Sequence, residues 1–429
     1  MKIVKGEGGK MAQLMKNLIL FLVFALPVIF IRALRDNFAL PKVLLLRTVG
    51  LGLLFCLFNI FYDDAIWRRK TALLPSLLRL KRIIRGGINS AALVYLIIVL
   101  FATIFSSDRS LSWNGLYFYY FAGFFQLICY FVFFAAVQTA LTGLVPARVN
   151  AVFEKKIHIS VGYSVLAVCL YGLIQFSGLD FIKWNTNFGR IFSTLGNPDF
   201  LAGWIAMCLP VLIGGWLKSG GRKQQYFFAV SFLLGFITLL VASSRAGWLA
   251  AAGSLIVLIL LIGSEFKQKI IFGVTVAMLM LGAAITLGPR LWGLDEAGIK
   301  SRLLGWKTAV EVIESKPLLG YGPDTFASVS ARFLPKEYDR FTKPNANPAY
   351  AHNIFLDQAA AAGLPGLLAF CWLLVEFYRK CRDYPFIASG MTGGLIYGFF
   401  SIGTLSFWLY FWLYMGIAAS LDKRRRVKL

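Results

Sequence analysis

Tyr350-Ala351-His352-Asn353 stands where two kinds of sequence meet. Before it, from Pro289 to His352, runs a long polar segment; after it, from Asn353 to Tyr378, runs an apolar stretch. A helix of ~20 apolar residues crosses a bilayer, so the second stretch reads as a span and the first as a wet loop outside it. The rest of the chain repeats the apolar side of this junction. Hydrophobic residues make up 58% of it, charged residues 15%, and mean hydropathy is +0.70. That composition belongs to an integral membrane protein. Barrel strands would show ~10-residue alternation, which is missing, so the spans read as helices that satisfy their own backbone groups.

Twelve spans are predicted, at 17–34, 42–62, 88–106, 116–142, 157–177, 199–217, 226–243, 246–263, 270–288, 353–378, 386–402 and 404–420. The expected fold is therefore an all-α integral membrane protein with a long extracytoplasmic loop bearing short amphipathic helices. Four regions follow: 1–156 with helices one to four, 157–289 with helices five to nine and the arginine motifs, the loop 290–352, and 353–429 with the last helices and a basic tail. The basic N-terminus followed by Leu18 to Ile31 reads as an uncleaved first helix.

The net charge of +24 does not indicate nucleic acid, because Lys and Arg cluster at span ends with no basic, aromatic-interleaved surface. Arg68 to Arg85 carries seven of them and Lys423 to Lys428 five. Basic residues in short loops face the cytoplasm and its anionic lipid, which places both termini inside and the long loop outside. Five cysteines lie in apolar runs, and Cys381 in a basic turn. With no Cys-x-x-Cys, neither a disulfide framework nor a zinc site is indicated.

Within the loop, Ile299 to Ser315 reads as an amphipathic helix, with Leu303, Trp306, Val310 and Ile313 on its apolar face. Pro323 opens a second, shorter helix through Phe333. Both are expected to lie on the outer leaflet. Leu179 to Asp199 is too polar for lipid and rich in Phe, Trp and Asn, a pattern tolerated at membrane depth only beside a cavity or against protein. Gly363-Leu364-Pro365-Gly366 should break the tenth span and free backbone groups.

Three arginines fall on the loop's side. Arg190 precedes the sixth span, and its planar fork suits phosphate oxygens or a lipid headgroup. Arg245 lies in a turn too short to reach far into water, so it needs a polar cavity or caps the neighbouring span. Arg302 is expected to begin the amphipathic helix, where free N–H groups favour anions, although a surface arginine would look the same. His352 can take a proton from a hydroxyl or serve as a hydrogen-bonded structural residue. His158, at a cytoplasmic span start, reads as a headgroup contact. Asp357 lies inside a span, five residues past His352, a poor spacing for direct pairing. Asp-x-Asp is absent, so no metal and no cofactor is expected, and no phosphate-binding Gly-Lys loop appears.

The order Arg302-Leu303-Leu304-Gly305-Trp306 through Pro317-Leu318-Leu319-Gly320-Tyr321-Gly322-Pro323, then Ala351-His352-Asn353, then Gly363-Leu364-Pro365-Gly366 resembles the O-antigen ligase and O-antigen polymerase superfamily. Ser244-Arg245-Ala246 and Gly196-Asn197-Pro198 resemble its upstream motifs. The likeness covers about residues 185 to 380. It implies a membrane glycosyltransferase of type C, inverting and metal-independent, in the bacterial inner membrane with its site facing the periplasm. The implied donor is a glycan on undecaprenyl diphosphate; the implied acceptor is lipid A–core oligosaccharide for a ligase, or another lipid-linked repeat for a polymerase. By resemblance, Arg190, Arg245 and Arg302 handle the diphosphate and His352 is catalytic, with Arg190 and Arg245 assisting and Asp357 and Asn353 in polar support. No residue can be matched to acceptor recognition. A flippase for lipid-linked sugars is the reading from another class.

Overall fold

Long apolar runs become long helices because a backbone in lipid has no other donor or acceptor. The computed structural model describes residues 7–67, 87–142, 147–184, 189–262, 296–342 and 347–426. In chain order they form α1 (Glu7–Val28), α2 (Ala39–Trp67), α3 (Gly87–Ile104), α4 (Arg109–Asn114), α5 (Phe124–Thr142), α6 (Ala147–Phe176) and a 3-10 turn (Ser193–Leu195). Then come α7 (Pro198–Leu217), α8 (Arg222–Val241), α9 (Arg245–Leu261), α10 (Glu296–Ser315), α11 (Phe326–Ser330), α12 (Ile354–Lys380), α13 (Pro385–Phe400) and α14 (Leu405–Arg426). No strand occurs among the described residues. There, eight helices are long and apolar enough to cross a membrane: α1, α2, α3, α5, α6, α7, α8 and α12. Helices α9 and α14 are apolar but shorter, and α13 is packed between α7 and α9. These eleven helices correspond to predicted spans, although α1 ends at Val28 where its span was expected to run to residue 34. The twelfth, 270–288, lies outside the described residues.

The bundle sorts side chains by surroundings. Helix α2 leaves Leu51, Leu54, Phe55 and Phe58 half or more exposed, an apolar face suited to lipid, while Leu46, Leu53 and Cys56 are buried. Helix α7 is buried along nearly its whole length. Glycines make its close packing possible. A Cβ on Gly203 would come 2.6 Å from the Tyr397 ring, and one on Gly247 would come 2.3 Å from Ala202. Small residues at crossings are how membrane helices approach closely.

The break in α12 organises the outer side. Asn353 caps the helix, its Oδ1 accepting from Phe355 N at 2.9 Å and Leu356 N at 3.2 Å. Ala362 and Gly363 then leave helical geometry, Gly363 at φ +69°. Pro365 has no N–H for the Ala361 carbonyl, and Leu364 N turns away to Pro317 O at 2.7 Å. Two carbonyls are thereby freed. The loop supplies their donors: Tyr321 N reaches Ala360 O and Gly322 N reaches Ala361 O, both at 2.9 Å. A Cβ on Gly320 or Gly363 would sit 2.6 Å from the opposing backbone, so both glycines are required by the approach. The Pro-Leu-Leu-Gly-Tyr-Gly and Gly-Leu-Pro-Gly motifs are thus two halves of one joint.

A second anchor holds the same loop to the segment before α5. Ser107 N and Ser106 Oγ donate to Tyr321 O, each at 3.0 Å, and Ser112 Oγ donates to Pro323 O at 2.7 Å. Buried Asp324 accepts from Leu116 N at 3.0 Å and from the Tyr350 hydroxyl at 2.7 Å.

Several expectations need correction. The span predicted from residue 116 begins at Phe124, because Gly115, Phe118 and Tyr120 take positive φ and turn the chain first. The second loop helix is confined to Phe326–Ser330. Helix α10 begins at Glu296, so Arg302 lies in its second turn and not at a free N-terminus. Its buried stripe is Gly305, Thr308, Ala309 and Val312, whereas Leu303 and Val310 of the expected apolar face are exposed. Ala309 and Val312 of this stripe cluster with Ala360 of α12 and Phe326 of α11. His158 is 7% exposed and is no headgroup contact, because α6 starts ten residues earlier than predicted and carries it into the bundle.

Candidate functional site

Arg190, Arg245 and Arg302 come from three separate parts of the chain and line one cavity of about 1000 Å³. Its walls are the polar 189–199 segment, the turn between α8 and α9, the start of α10, and Ser401 between α13 and α14. Of the two surroundings expected for Leu179 to Asp199, the cavity is the one its described residues Asp180, Trp184, Arg190, Phe192 and Asp199 line. Apolar residues Phe176, Leu240, Val241 and Ile299 complete one side.

Local sequence sets each arginine. Asn197 Oδ1 accepts from Asp199 N at 2.8 Å and Pro198 occupies the first helical position, so α7 starts sharply and Asp199 falls in its first turn. Arg190 Nη1 lies 3.7 Å from Asp199 Oδ1 and donates to Ser243 O at 2.9 Å. The Ser243 backbone, at φ +52°, presents that carbonyl. Ser244 Oγ accepts from Gly247 N at 3.2 Å and starts α9, leaving Arg245 exposed as its first residue. Arg302 is exposed on α10. Arg245 and Arg302 make no hydrogen bond to other described residues, so their donors stay available. At the start of α9, Arg245 adds a side-chain cation to the free N–H groups of the helix end, and both attract negative charge.

His352 does not line this cavity. It is half-buried behind it, close enough to feel Arg302 and Asp199. Burial, and then the Arg302 charge, lower its pKa to about 4, while Asp199 pulls the other way. The imidazole is therefore neutral near pH 7. Its backbone takes φ +57°, uncommon for a residue with a Cβ. Buried bonds on both sides hold that turn. Asp357 Oδ1 accepts from Ala351 N at 2.7 Å, Asn353 caps α12, and the Tyr350 ring lies 4.9 Å from Phe121 and 5.3 Å from Tyr119. Asp357 thus touches the backbone next to His352 and not its ring, as the five-residue spacing implied. Burial raises the Asp324 carboxyl to about 6, with its Tyr350 bond opposing the shift.

Asp199 is the site residue that sequence reading passed over. Its signal was the Asn-Pro-Asp start of a helix nine residues after Arg190. Asp324 and Tyr350 were also unassigned, because a buried bond between a loop and a helix entrance leaves no local pattern.

Residues 230–371 match the family model described as O-Antigen ligase. The match runs from within α8 to within α12 and includes Arg245, Arg302, His352 and Asp357; Arg190 precedes it. No curated protein matches the chain.

Proposed function

We propose that this multi-pass helical membrane protein, similar over that segment to O-antigen ligases, transfers a glycan from a polyprenyl diphosphate to an acceptor hydroxyl. The observation that carries the proposal is the convergence of three guanidinium groups on one cavity, with a neutral imidazole behind Arg302. In this reading the diphosphate binds Arg245 and Arg302, whose donors are free, and competes with Asp199 for Arg190. The apolar wall of Phe176, Leu240 and Ile299 accommodates the first prenyl units.

The acceptor oxygen attacks the anomeric carbon and the bond to the diphosphate breaks. The bonding pair leaves with the diphosphate, whose growing charge the arginines stabilise. Attack opposite the leaving group inverts the anomeric centre, and no step requires a metal. His352 takes the acceptor's proton. A pKa of about 4 makes this imidazole a weak base. A bound diphosphate offsets the Arg302 charge and raises that pKa, so the base strengthens when donor is present. Asp357 and Asn353 position the histidine through the backbone. We assign the inner membrane as location, the periplasmic side as the cavity's side, undecaprenyl diphosphate as the carrier and lipid A–core as the acceptor.

The test uses purified full-length protein with labelled lipid-linked repeats, with and without lipid A–core. Label on the core is the expected result. Chain growth without core identifies a polymerase instead, and no transfer under either condition defeats the proposal.

A further inference from the structure

The wall of the arginine cavity includes Gln175, in the last turn of α6. Beside it runs the stretch that carries Arg190, where Gly189 and Ser193 take φ +59° and +50°. A backbone that irregular cannot pair its own N–H groups, and buried ones need acceptors from elsewhere. Gln175 Oε1 accepts from Ser193 N at 2.7 Å and from Phe192 N at 3.3 Å. At its other end, Gln175 Nε2 donates to Asp180 Oδ2 at 3.2 Å. We infer that Gln175 is a positioning residue: its one amide ties the stretch bearing Arg190 to the wall bearing Trp184, and so fixes where the Arg190 fork stands in the cavity.

The tie is the backbone anchor nearest the guanidinium. Residues 189–191 make no backbone hydrogen bond to other described residues. Further along, Ser193 Oγ donates to Val168 O at 2.6 Å and Thr194 Oγ1 to Pro27 O at 2.7 Å, which fixes the far half of the stretch. Between those bonds and Arg190 stands the Gln175 oxygen.

The other half of the tie is equally specific. Asp180 Oδ1 accepts from Ile182 N at 2.9 Å, and Oδ2 accepts from Trp184 Nε1 at 3.0 Å and from the Tyr171 hydroxyl at 3.2 Å. Together with Gln175, neutral donors thus occupy this carboxylate, and it forms no ion pair with the three arginines whose cavity it lines. Trp184, held by Asp180, meets the Phe192 ring edge-on with centroids 5.6 Å apart. The two walls therefore meet twice, through the amide and through the rings.

Only an amide of this length does both jobs. It carries lone pairs for two backbone N–H groups and a proton for Asp180. An ionised Glu keeps the lone pairs but sets a like charge against Asp180. Leucine keeps the bulk and loses every bond. The use of the tie in transfer rests on the glycan-transfer reading; the tie itself does not.

Hydrogen exchange, followed by mass spectrometry on the purified full chain in detergent, tests the tie. In Gln175→Leu, peptides covering 179–184 and 189–195 should both exchange faster, with α5 and α14 as in the parent. Gln175→Glu should speed 179–184 alone, because the acceptor for Ser193 N remains. If Gln175→Leu loosens the whole bundle, the selective pattern in Gln175→Glu decides. Parent-like exchange in both variants, or equal loosening of both peptides by Gln175→Glu, overturns the proposal. Calorimetric titration with farnesyl diphosphate tests the positioning. Gln175→Leu should weaken binding about three- to tenfold, the effect of one lost hydrogen bond. In an Arg190→Ala background the same change should cost less than about twofold, since residues that act through one another are not additive. An equal loss in both backgrounds overturns the positioning role. Equal binding by the parent and Arg190→Ala defeats the diphosphate reading of Arg190, and the exchange result alone then decides the tie.

Discussion

In the arginine cavity, Arg245 and Arg302 stand exposed without side-chain hydrogen bonds to other described residues, whereas at the α12 break Gly320, Gly322, Ala360 and Gly363 are buried and backbone groups are paired across three chain segments. The two regions divide the work. Donors meant for a ligand must stay unpaired and wet, or the protein would have to break its own bonds to bind. A base must be held still, and backbone bonds among buried residues hold best because water cannot compete. Arg190 stands between the two extremes, already engaged by Asp199 and Ser243.

The comparison predicts opposite phenotypes. Arg245→Ala should cut transfer by roughly 100- to 1,000-fold, about 3–4 kcal/mol of transition-state stabilisation. Its melting temperature should stay that of the parent, since no internal bond is lost; a matched loss of stability would erase the distinction. Gly363→Ala should do the reverse. The residue holds φ +69° and a Cβ would meet Leu318 backbone at 2.6 Å. A cost of about 1–3 kcal/mol in a thermal or denaturant melt is expected.

A smaller effect concerns the histidine's proton. His352 sits at about 4 in the fold, below the ordinary imidazole value of 6.5. The folded state binds this proton more weakly, so its contribution to stability is complete above pH 6.5 and is lost as pH falls toward 4. His352→Gln should flatten the melting temperature across that window. The subtlest prediction concerns tuning. Asp199→Asn should move the acid limb of kcat/KM to lower pH, and Arg302→Lys should leave it nearly in place because the charge remains. Limbs that coincide in wild type and Asp199→Asn would show that Asp199 does not act on the base.

Much of this was legible in the chain. The eleven helices match predicted spans because apolar length alone decides whether a backbone must close its own hydrogen bonds. The α12 break was legible because Pro365 lacks a donor and Gly363 lacks a Cβ. The turn from Ser401 to Thr404 divides the last two helices as predicted. The buried face of α10 was not legible. Leu303 and Val310 have the periodicity of a core face, but Thr308, Ala309 and Val312 are the buried side chains, Ala309 and Val312 in one apolar cluster with Phe326, Val329 and Ala360.

For the site, the sequence alone determined which groups were available: a few arginines and one histidine on the polar side of a helical membrane protein, beside a loop too polar for lipid. Those facts depend on composition and on interactions within a few residues. Only the tertiary structure decided that Arg190, Arg245 and Arg302 share one cavity, that Asp199 joins them, and that His352 lies half-buried within electrostatic reach of Arg302 and Asp199. Such convergence depends on how distant helices pack, and packing is set by shape and close approach across the whole bundle.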